Sequence, residues 1–226
     1  MPMTTTQNTA FTRLLRLPLF QGMSYDELTE VVAHTKMEFS KCTQGHVIAE
    51  ADTPCTTLTF ILNGDIEVTT LSIERQYAVI ETLHSPIVLQ PERLFGLHQT
   101  YTHTFTAATP CQLLKLRKSD VAKLAGTFTI FQINLLNIIT TRAQKTEALL
   151  WRQAPATQRQ RLIRFLTNHC QYPAGEKLFR IRMRDIGHEL NLSRIDISRL
   201  LNDLQKDGLL NLSRGKIMIP QIEKLS

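Results

Sequence analysis

Hydrophobic positions change period twice along the chain. Between residues 11 and 35 they recur at helical spacings, through Leu14, Leu15, Leu28, Val31 and Val32. Pro18 breaks the run, and Ser24 with Glu27 three residues later forms a capping box for a second helix. From Lys36 to Lys115 the runs become short and β-rich: Val47-Ile48, Leu58 to Leu62, Ile66 to Leu71, Tyr77 to Leu83, Phe105 to Ala108 and Leu113 to Leu116. Turn residues at Asn63-Gly64-Asp65 and Ser85-Pro86 separate them. Short strands at such close intervals predict a small antiparallel barrel or roll. Helical spacing returns at Ser119. A short helix runs to about Ala125, Gly126-Thr127 interrupts, and a long helix extends to about Arg152, roughly 35 Å at ~1.5 Å per residue.

On the long helix Phe128, Phe131, Leu135 and Ile138 are spaced 3, 4 and 3, and the stripe continues through Ile139, Ala143, Thr146 and Leu150. Such a stripe faces either its own core or a partner. Polar Asn134, Asn137, Thr141, Arg142 and Lys145 narrow it to a seam, which suits pairing with a second copy. The expectation is a homodimer joined through Phe128, Phe131, Leu135, Ile138, Ile139 and Leu150. Pro155 closes this block. Thr157 to His169 then reads as an amphipathic helix, with Leu162, Ile163, Phe165 and Leu166 inward and Arg159, Arg161 and Arg164 largely outward.

Residues 181–204 carry the strongest local signal. A helix from about Met183 to Leu190 buries Ile186 and Leu190. Gly187 inside it costs about 1 kcal/mol against Ala, which makes sense where another backbone must come close. Asn191 tolerates the left-handed conformation that a tight turn needs. Ser193 caps a second helix that buries Ile197, Leu200, Leu201 and Leu204. This is a helix-turn-helix, and a hairpin over residues 208–219 turning at Arg214-Gly215 makes it a winged helix. A helical hairpin of an enzyme or of a protein-protein module would share the apolar pattern. Arg182, Arg184, Arg194, Arg199, Arg214 and Lys216 instead fall where a DNA reader needs them.

Composition sharpens this division. With 226 residues, 42% hydrophobic and 20% charged, the chain is of ordinary globular type. Its net charge of +6 is uneven: up to Gln153 there are 13 Lys and Arg against 13 Asp and Glu, and from Ala154 onward 13 against 7. A neutral body with a basic tail domain fits a nucleic-acid binder whose phosphate contacts come from one part only. No apolar run approaches the ~20 residues of a membrane span. Met1 to Gln7 lacks the basic start and apolar core of a secretory signal, so the expected address is the cytoplasm, with no membrane partner. Cys42, Cys55, Cys111 and Cys170 lie far apart without a CxxC pair, which argues against a local zinc site and against a disulfide framework. No metal or cofactor is expected. Nor does the stretch after Ala154 hold paired carboxylates, a Ser/His/Asp set or a phosphate-cradling glycine loop, so catalysis is not expected.

The run Pro18 to Ser24 (PLFQGMS), Glu27-Leu28, Gly45 with Ile48, and Phe60 to Val68 (FILNGDIEV) follow one another in an order and spacing that, together with the break at Gly126, the long helix and the winged helix, covers nearly the whole chain. In these features the chain resembles the Crp/Fnr family of bacterial transcription regulators. The resemblance implies an α+β protein: an antiparallel β-roll of the cyclic-nucleotide-binding type with flanking helices over 1–118, a hinge and long dimerisation helix over 119–153, and a winged helix-turn-helix over 154–226. It also implies double-stranded DNA, a second copy of the chain, RNA polymerase and a small-molecule effector as partners.

The departures from the family pattern are informative. Cyclic-AMP-responsive members hold the ribose with a Gly-Glu pair and the phosphate with an Arg-Ser pair. Here Gln90-Pro91 and Tyr101-Thr102 stand in those places. A buried phosphate without its guanidinium loses a charge-assisted, bidentate contact. Arg93 lies nearby but is offset. Thr146 matches a helix threonine of some cyclic-AMP binders, yet Glu147 beside it would repel a phosphate. Cyclic AMP is therefore not the expected effector, and Glu92, Arg93, Gln99, Tyr101, Thr102 and Thr146 are the candidates to line whatever pocket the roll retains. No cysteine precedes Cys42, against the iron-sulfur sensors of the family, and His34, His46, His84, His98 and His103 make no argument for haem. An unidentified effector, a roll serving only as scaffold, a divergent cyclic-nucleotide pocket and a nucleotide-binding adaptor without DNA function all stay open at this point.

In the recognition helix the family pattern is Ser-Arg-Glu-x-x-x-Arg. Ser193, Arg194 and Arg199 match it, and arginine is the commonest reader of guanine O6 and N7. Ile195 replaces the glutamate; it cannot accept from cytosine but can touch a thymine methyl. Asp196 falls three residues after the cap, so helix capping is its first expected role and base reading its second. With Ser198 these residues complete the expected DNA-reading set, on a half-site that differs from the familiar one.

Overall fold

The computed structural model describes residues 14–225. The start of the predicted opening helix and the Met1–Gln7 segment lie outside the described residues. Wholly within the described residues, six α-helices and eleven strands follow in chain order: α1 (Tyr25–His34), β1 (Glu38–Cys42), β2 (Val47–Ala49), β3 (Thr57–Asn63), β4 (Asp65–Leu71), β5 (Ala78–His84), β6 (Ile87–Leu89), β7 (Thr104–Ala107), β8 (Cys111–Arg117), α2 (Lys118–Thr127), α3 (Thr129–Leu150), α4 (Gln158–Asn168), β9 (Lys177–Arg180), α5 (Met183–Leu190), α6 (Arg194–Lys206), β10 (Asn211–Ser213) and β11 (Lys216–Ile219). The architecture is α+β, as expected. The capping box of α1 is present in full: the Ser24 hydroxyl accepts from Glu27 N–H, and the Glu27 carboxylate accepts from Ser24 N–H at 2.7 Å.

The chain packs as two compact units. The first comprises residues up to Ile66, Leu83–Thr102 and Thr106–Ala148. Its antiparallel sheet runs β1-β8-β3-β6. The turn from β3 to β4 needs glycine: at Gly64, φ is +100°, and a Cβ there would meet Cys111 Sγ and the Pro110 carbonyl oxygen at 2.7 Å. Beneath the sheet Phe20 meets Phe131 edge-on at 5.3 Å and Phe60 at 6.1 Å between ring centroids. Asn134 pins α3 by donating to the carbonyls of Leu19 (3.2 Å) and Gln21 (2.8 Å).

These contacts correct the seam read from sequence. Phe128, Phe131 and Leu135 are buried by their own chain, so they are core residues and not a face for a partner. Ile138 and Ile139 are half-buried, and the side chain of Leu150 lies outside the described residues. The large apolar residues of α3 that remain open are Ile133 and Leu136, each about half exposed, and Leu149 near the end of the helix. With Thr140 and Ala143, also exposed, Ile133 and Leu136 form a stripe roughly a third of a turn around the helix from Leu135, at ~3.6 residues per turn.

The second unit comprises Glu67–Thr82, His103–Phe105 and Leu149–Ser226. Glu67–Thr82, expected within the roll, here packs with the C-terminal segment. Strand β5 pairs antiparallel with β9, Ala78 opposite Arg180 and Glu81 opposite Lys177, and β9 pairs on its other side with β11. Tyr77 and Val79 join Leu162, Phe165, Phe179, Ile186, Ile197 and Leu201 in one core. Within it lies a fully buried ion pair, Lys177 Nζ to Glu81 Oε1 at 3.2 Å. Glu81 also accepts from the backbone N–H groups of Gln171 (2.9 Å) and Tyr172 (3.1 Å), and Lys177 donates to the Ala174 carbonyl (2.7 Å). Buried charges persist only when satisfied in this way.

Candidate nucleic-acid interface

The helix-turn-helix forms as its sequence dictates. Asn191 takes the left-handed conformation (φ 51°, ψ 51°) and ends α5. Leu192 N–H then donates to the Gly187 carbonyl at 2.9 Å, closing the turn in the manner of a Schellman motif. A Cβ on Gly187 would sit 2.7 Å from the Leu192 carbonyl oxygen. The glycine is therefore required by the turn's own backbone. At the next helix Ser193 Oγ accepts from Asp196 N–H (3.1 Å) and donates to Asp196 Oδ2 (2.6 Å). Asp196 thus has the capping geometry expected of it.

One face of α6 lies open. Arg194, Ile195, Ser198, Arg199 and Asn202, with Met183 of α5, line a shallow groove. Ile195 is 73% exposed, an unusual setting for so apolar a side chain. Arg194, Arg199, Arg214 and Lys216 are exposed, and none has an ion-pair partner among the described residues. Arg182 and Arg184 are held differently. Their Nε atoms donate to Asp185 at 2.9 and 3.1 Å, while both side chains stay more than half exposed. Burial of Asp185 works against its ionisation, but these two guanidinium groups outweigh it and hold the carboxyl below the usual aspartate value.

Three residues of this face were not read from the sequence. Arg180 is exposed and stands opposite Lys216 in the β9–β11 pair; it would have emerged had Lys177–Arg180 been recognised as a strand. Asn202 falls one turn after Ser198, whose carbonyl accepts from it at 2.8 Å. Asp185 reads in sequence as an ordinary acidic residue of a first helical turn.

Residues 90–102 behave in the opposite way. Gln90 is buried in a left-handed conformation (φ 35°), and its amide clasps Thr102, accepting from Thr102 N–H at 3.0 Å and donating to the Thr102 hydroxyl. Glu92 accepts from Arg142 of α3, and Thr146 donates to the Arg142 carbonyl at 3.0 Å. Gln99 donates to the Gly96 carbonyl (2.7 Å) and accepts from Lys118. Tyr101 is buried and donates to the Thr57 carbonyl at 3.2 Å; burial, then Cys55, pushes its phenol well above the ordinary tyrosine range. Of the six candidate effector residues, the structure links Glu92 and Thr146 through Arg142, while Thr102, Tyr101 and Gln99 have separate partners. Arg93 alone keeps a buried Nε without a hydrogen-bond partner among the described residues.

Comparison with known proteins places this geometry. The Crp-like helix-turn-helix domain matches residues 160–226, and the cyclic nucleotide-binding domain matches residues 40–128. Among solved structures, the catabolite activator protein of Thermus thermophilus is 19% identical, with 92% of this chain and 96% of that one covered and a TM-score of 0.51. A regulator assigned to the Crp/Fnr family from Eubacterium rectale is 19% identical, with 93% and 96% covered and a TM-score of 0.54. The chain belongs to the Crp/Fnr family of DNA-binding transcription regulators. The sensor domain of the regulator DNR from Pseudomonas aeruginosa is also similar, at 18% identity over 67% of this chain and all of that one, with a TM-score of 0.54. These identities speak for the fold alone. No curated protein matches the sequence. No single helix among the described residues is long and apolar enough to cross a membrane.

Proposed function

We propose that this Crp/Fnr regulator works in the cytoplasm as a homodimer, without catalysis and without cyclic AMP. It reads a near-palindromic duplex with two copies of α6 in successive major grooves, about 34–36 Å apart. The observation that carries the reading is the open face of α6. Arg194 and Arg199 are exposed with no ion-pair partner among the described residues, next to an exposed Ile195. Arg182, Arg184, Arg180, Arg214 and Lys216 supply charge for flanking phosphates. Capping by Ser193 and Asp196 fixes the end of the helix that enters the groove, and RNA polymerase is the expected partner at a promoter.

The second copy pairs through Ile133, Leu136, Thr140 and Ala143 of α3. Against cyclic AMP stand the Gln90–Thr102 clasp and the Glu92–Arg142 pair, which occupy the polar groups of the segment with one another. A ligand shifts an equilibrium only by its differential affinity for two states. An anion entering here meets donors already engaged by Thr102 and Glu92, and only the Arg93 guanidinium keeps a buried nitrogen without a partner among the described residues.

Selection of duplexes from a random pool, followed by electrophoretic shift at moderate salt, tests the reading. A recovered near-palindrome bound in preference to random sequence supports it; equal binding to all duplexes rejects it. Isothermal titration with cyclic AMP should show no heat at micromolar ligand, and the shift should be unchanged by it.

A further inference from the structure

The four cysteines lie far apart in sequence, and the fold brings two of them together. Cys42 is the last residue of β1 and Cys111 the first of β8, and the antiparallel register sets them directly opposite each other. Opposed residues of such a pair share a face, with Cα atoms about 4.5–5.5 Å apart. That lies inside the roughly 4.4–6.8 Å that a disulfide spans. Both thiols are free, and they stand opposite each other in the strand pair. Cys42 is half-buried on the edge strand of its sheet, whereas Cys111 is buried one strand further in. Two backbone carbonyls hold the Cys111 thiol in place, Thr109 at 3.2 Å and Asp65 at 3.4 Å.

We propose that Cys42 and Cys111 form a dithiol–disulfide modification site in the roll, oxidised by a peroxide. Cys42, the reachable partner, attacks the peroxide: an S–O bond forms, the O–O bond breaks and one water leaves, giving Cys42 sulfenic acid. The sulfur of Cys111 then attacks that of Cys42. The S–S bond forms, the S–O bond breaks, and a second water leaves with the Cys111 proton. Two thiols lose two electrons in total and hydrogen peroxide is reduced to two waters.

The division of roles follows the surroundings. Burial, then the neighbouring Cys42, raises the Cys111 thiol, so it resolves the sulfenic acid and does not meet the oxidant first. The other two cysteines are poor competitors. Burial raises Cys55 and pushes Cys170 up to about 12, and neither has a cysteine opposite it in a strand pair. Reduced dithiol and bridged disulfide are thereby two states of one strand pair. The bridge closes a loop that contains the whole 90–102 segment, and such closure stabilises chiefly by restricting the unfolded chain.

The test uses the full chain, reduced and then exposed to stoichiometric hydrogen peroxide. Remaining thiols are alkylated, the protein is digested without reductant, and the peptides are weighed. The expected product is one intrachain Cys42–Cys111 linkage, reversed by dithiothreitol, with Cys55 and Cys170 alkylated. The oxidised chain should melt at a higher temperature than the reduced one, and Cys42→Ser should remove both the linkage and the shift. Cys111→Ala should leave Cys42 as sulfenic acid, which a second equivalent of peroxide takes to sulfinic acid as another water leaves. A bridge between two chains, a linkage through Cys55 or Cys170, or sulfinic acid at Cys42 of the unmutated chain with Cys111 still alkylated would each overturn the proposal.

Discussion

Residues 90–102 and the recognition helix are both rich in polar side chains, and they dispose of them in opposite ways. In the first, Gln90 and Thr102, Glu92 and Arg142, and Gln99 and Lys118 satisfy one another. In the second, Arg194 and Arg199 are exposed with no ion-pair partner among the described residues, Asp196 is engaged by the cap Ser193, and Asp185 of α5 orients two neighbouring arginines without covering them. A buried donor without an acceptor is costly, so the buried part of the first region is largely paired within its own unit, with Arg93 Nε the exception. A surface that binds a polyanion works the other way: its donors exchange water for phosphate or base edge, and the counterions released drive binding. What separates the two regions is therefore where the acceptors lie. A ligand entering the first would have to replace existing hydrogen bonds; DNA meeting the second replaces only solvent.

The contrast is broken hardest where a satisfied charge loses its partner. Glu81→Ala strands Lys177 in the core and should destabilise by about 3–5 kcal/mol in chemical denaturation. Replacing both residues at once, Glu81→Leu with Lys177→Met, should recover most of that loss, because no charge is then left buried alone. A single mutant within about 1 kcal/mol of the parent would show that water reaches the pair.

Next in size is the long helix, where two apolar residues five positions apart should behave differently. Phe131→Ala opens a cavity against Phe20 and should cost about 3–5 kcal/mol of stability. Leu136→Glu should leave the unfolding midpoint nearly unchanged at matched monomer concentration, yet sediment as a monomer with weakened DNA binding. If Phe131→Ala gave a stable monomer instead, the partner face would be the one first read from the sequence.

On the open face the effects are smaller and separable. Arg199→Ala should cost about 1–3 kcal/mol and relax preference at one base pair of the selected site. Arg180→Ala, on the strand beside the wing, should weaken binding to all duplexes alike and lower the salt slope by about one phosphate. Titrating both variants over a salt series against selected and random duplexes tells base reading from charge. A sequence-dependent loss in Arg180→Ala would move that residue into the reading set.

What could be read beforehand follows the range of the interactions. The turn at Gly187, Asn191 and Ser193 is decided within seven residues, and it folds as its spacing says. The wing turn at Arg214-Gly215 and the capping box at Ser24 are equally local. Strand β9 was missed because its inward position carries Lys177, whose acid lies 96 positions earlier in the numbering, at Glu81. Strand β1 is an edge strand of mixed polarity, and its alternation is weak. The stripe on α3 had the right period, but period alone leaves open whether Phe131 faces its own sheet or a second chain. The candidate effector residues were read from their positions in a family pattern, and their hydrogen-bond partners on other elements could not be seen from spacing.

The smallest expected effect tests how the open face is organised. Asp185 does not touch the groove; it positions Arg182 and Arg184 through their Nε atoms and leaves their outer nitrogens free. Both arginines are more than half exposed, so each pair contributes only about 0.2–1 kcal/mol. Asp185→Asn should therefore weaken DNA binding severalfold at most, uniformly across sequences, while Arg182→Ala in the Asn background should weaken it less than in the parent. The pH dependence has a definite sign. Although burial opposes it, the guanidinium hydrogen bonds hold the folded-state pKa of Asp185 below its unfolded value. The stabilisation is thus complete above about pH 4 and is lost as pH falls through the folded value. Acid unfolding of parent and Asp185→Asn should diverge above pH 4 and converge below it. Parallel curves over that range would show that Arg182 and Arg184 do not hold the carboxylate in solution.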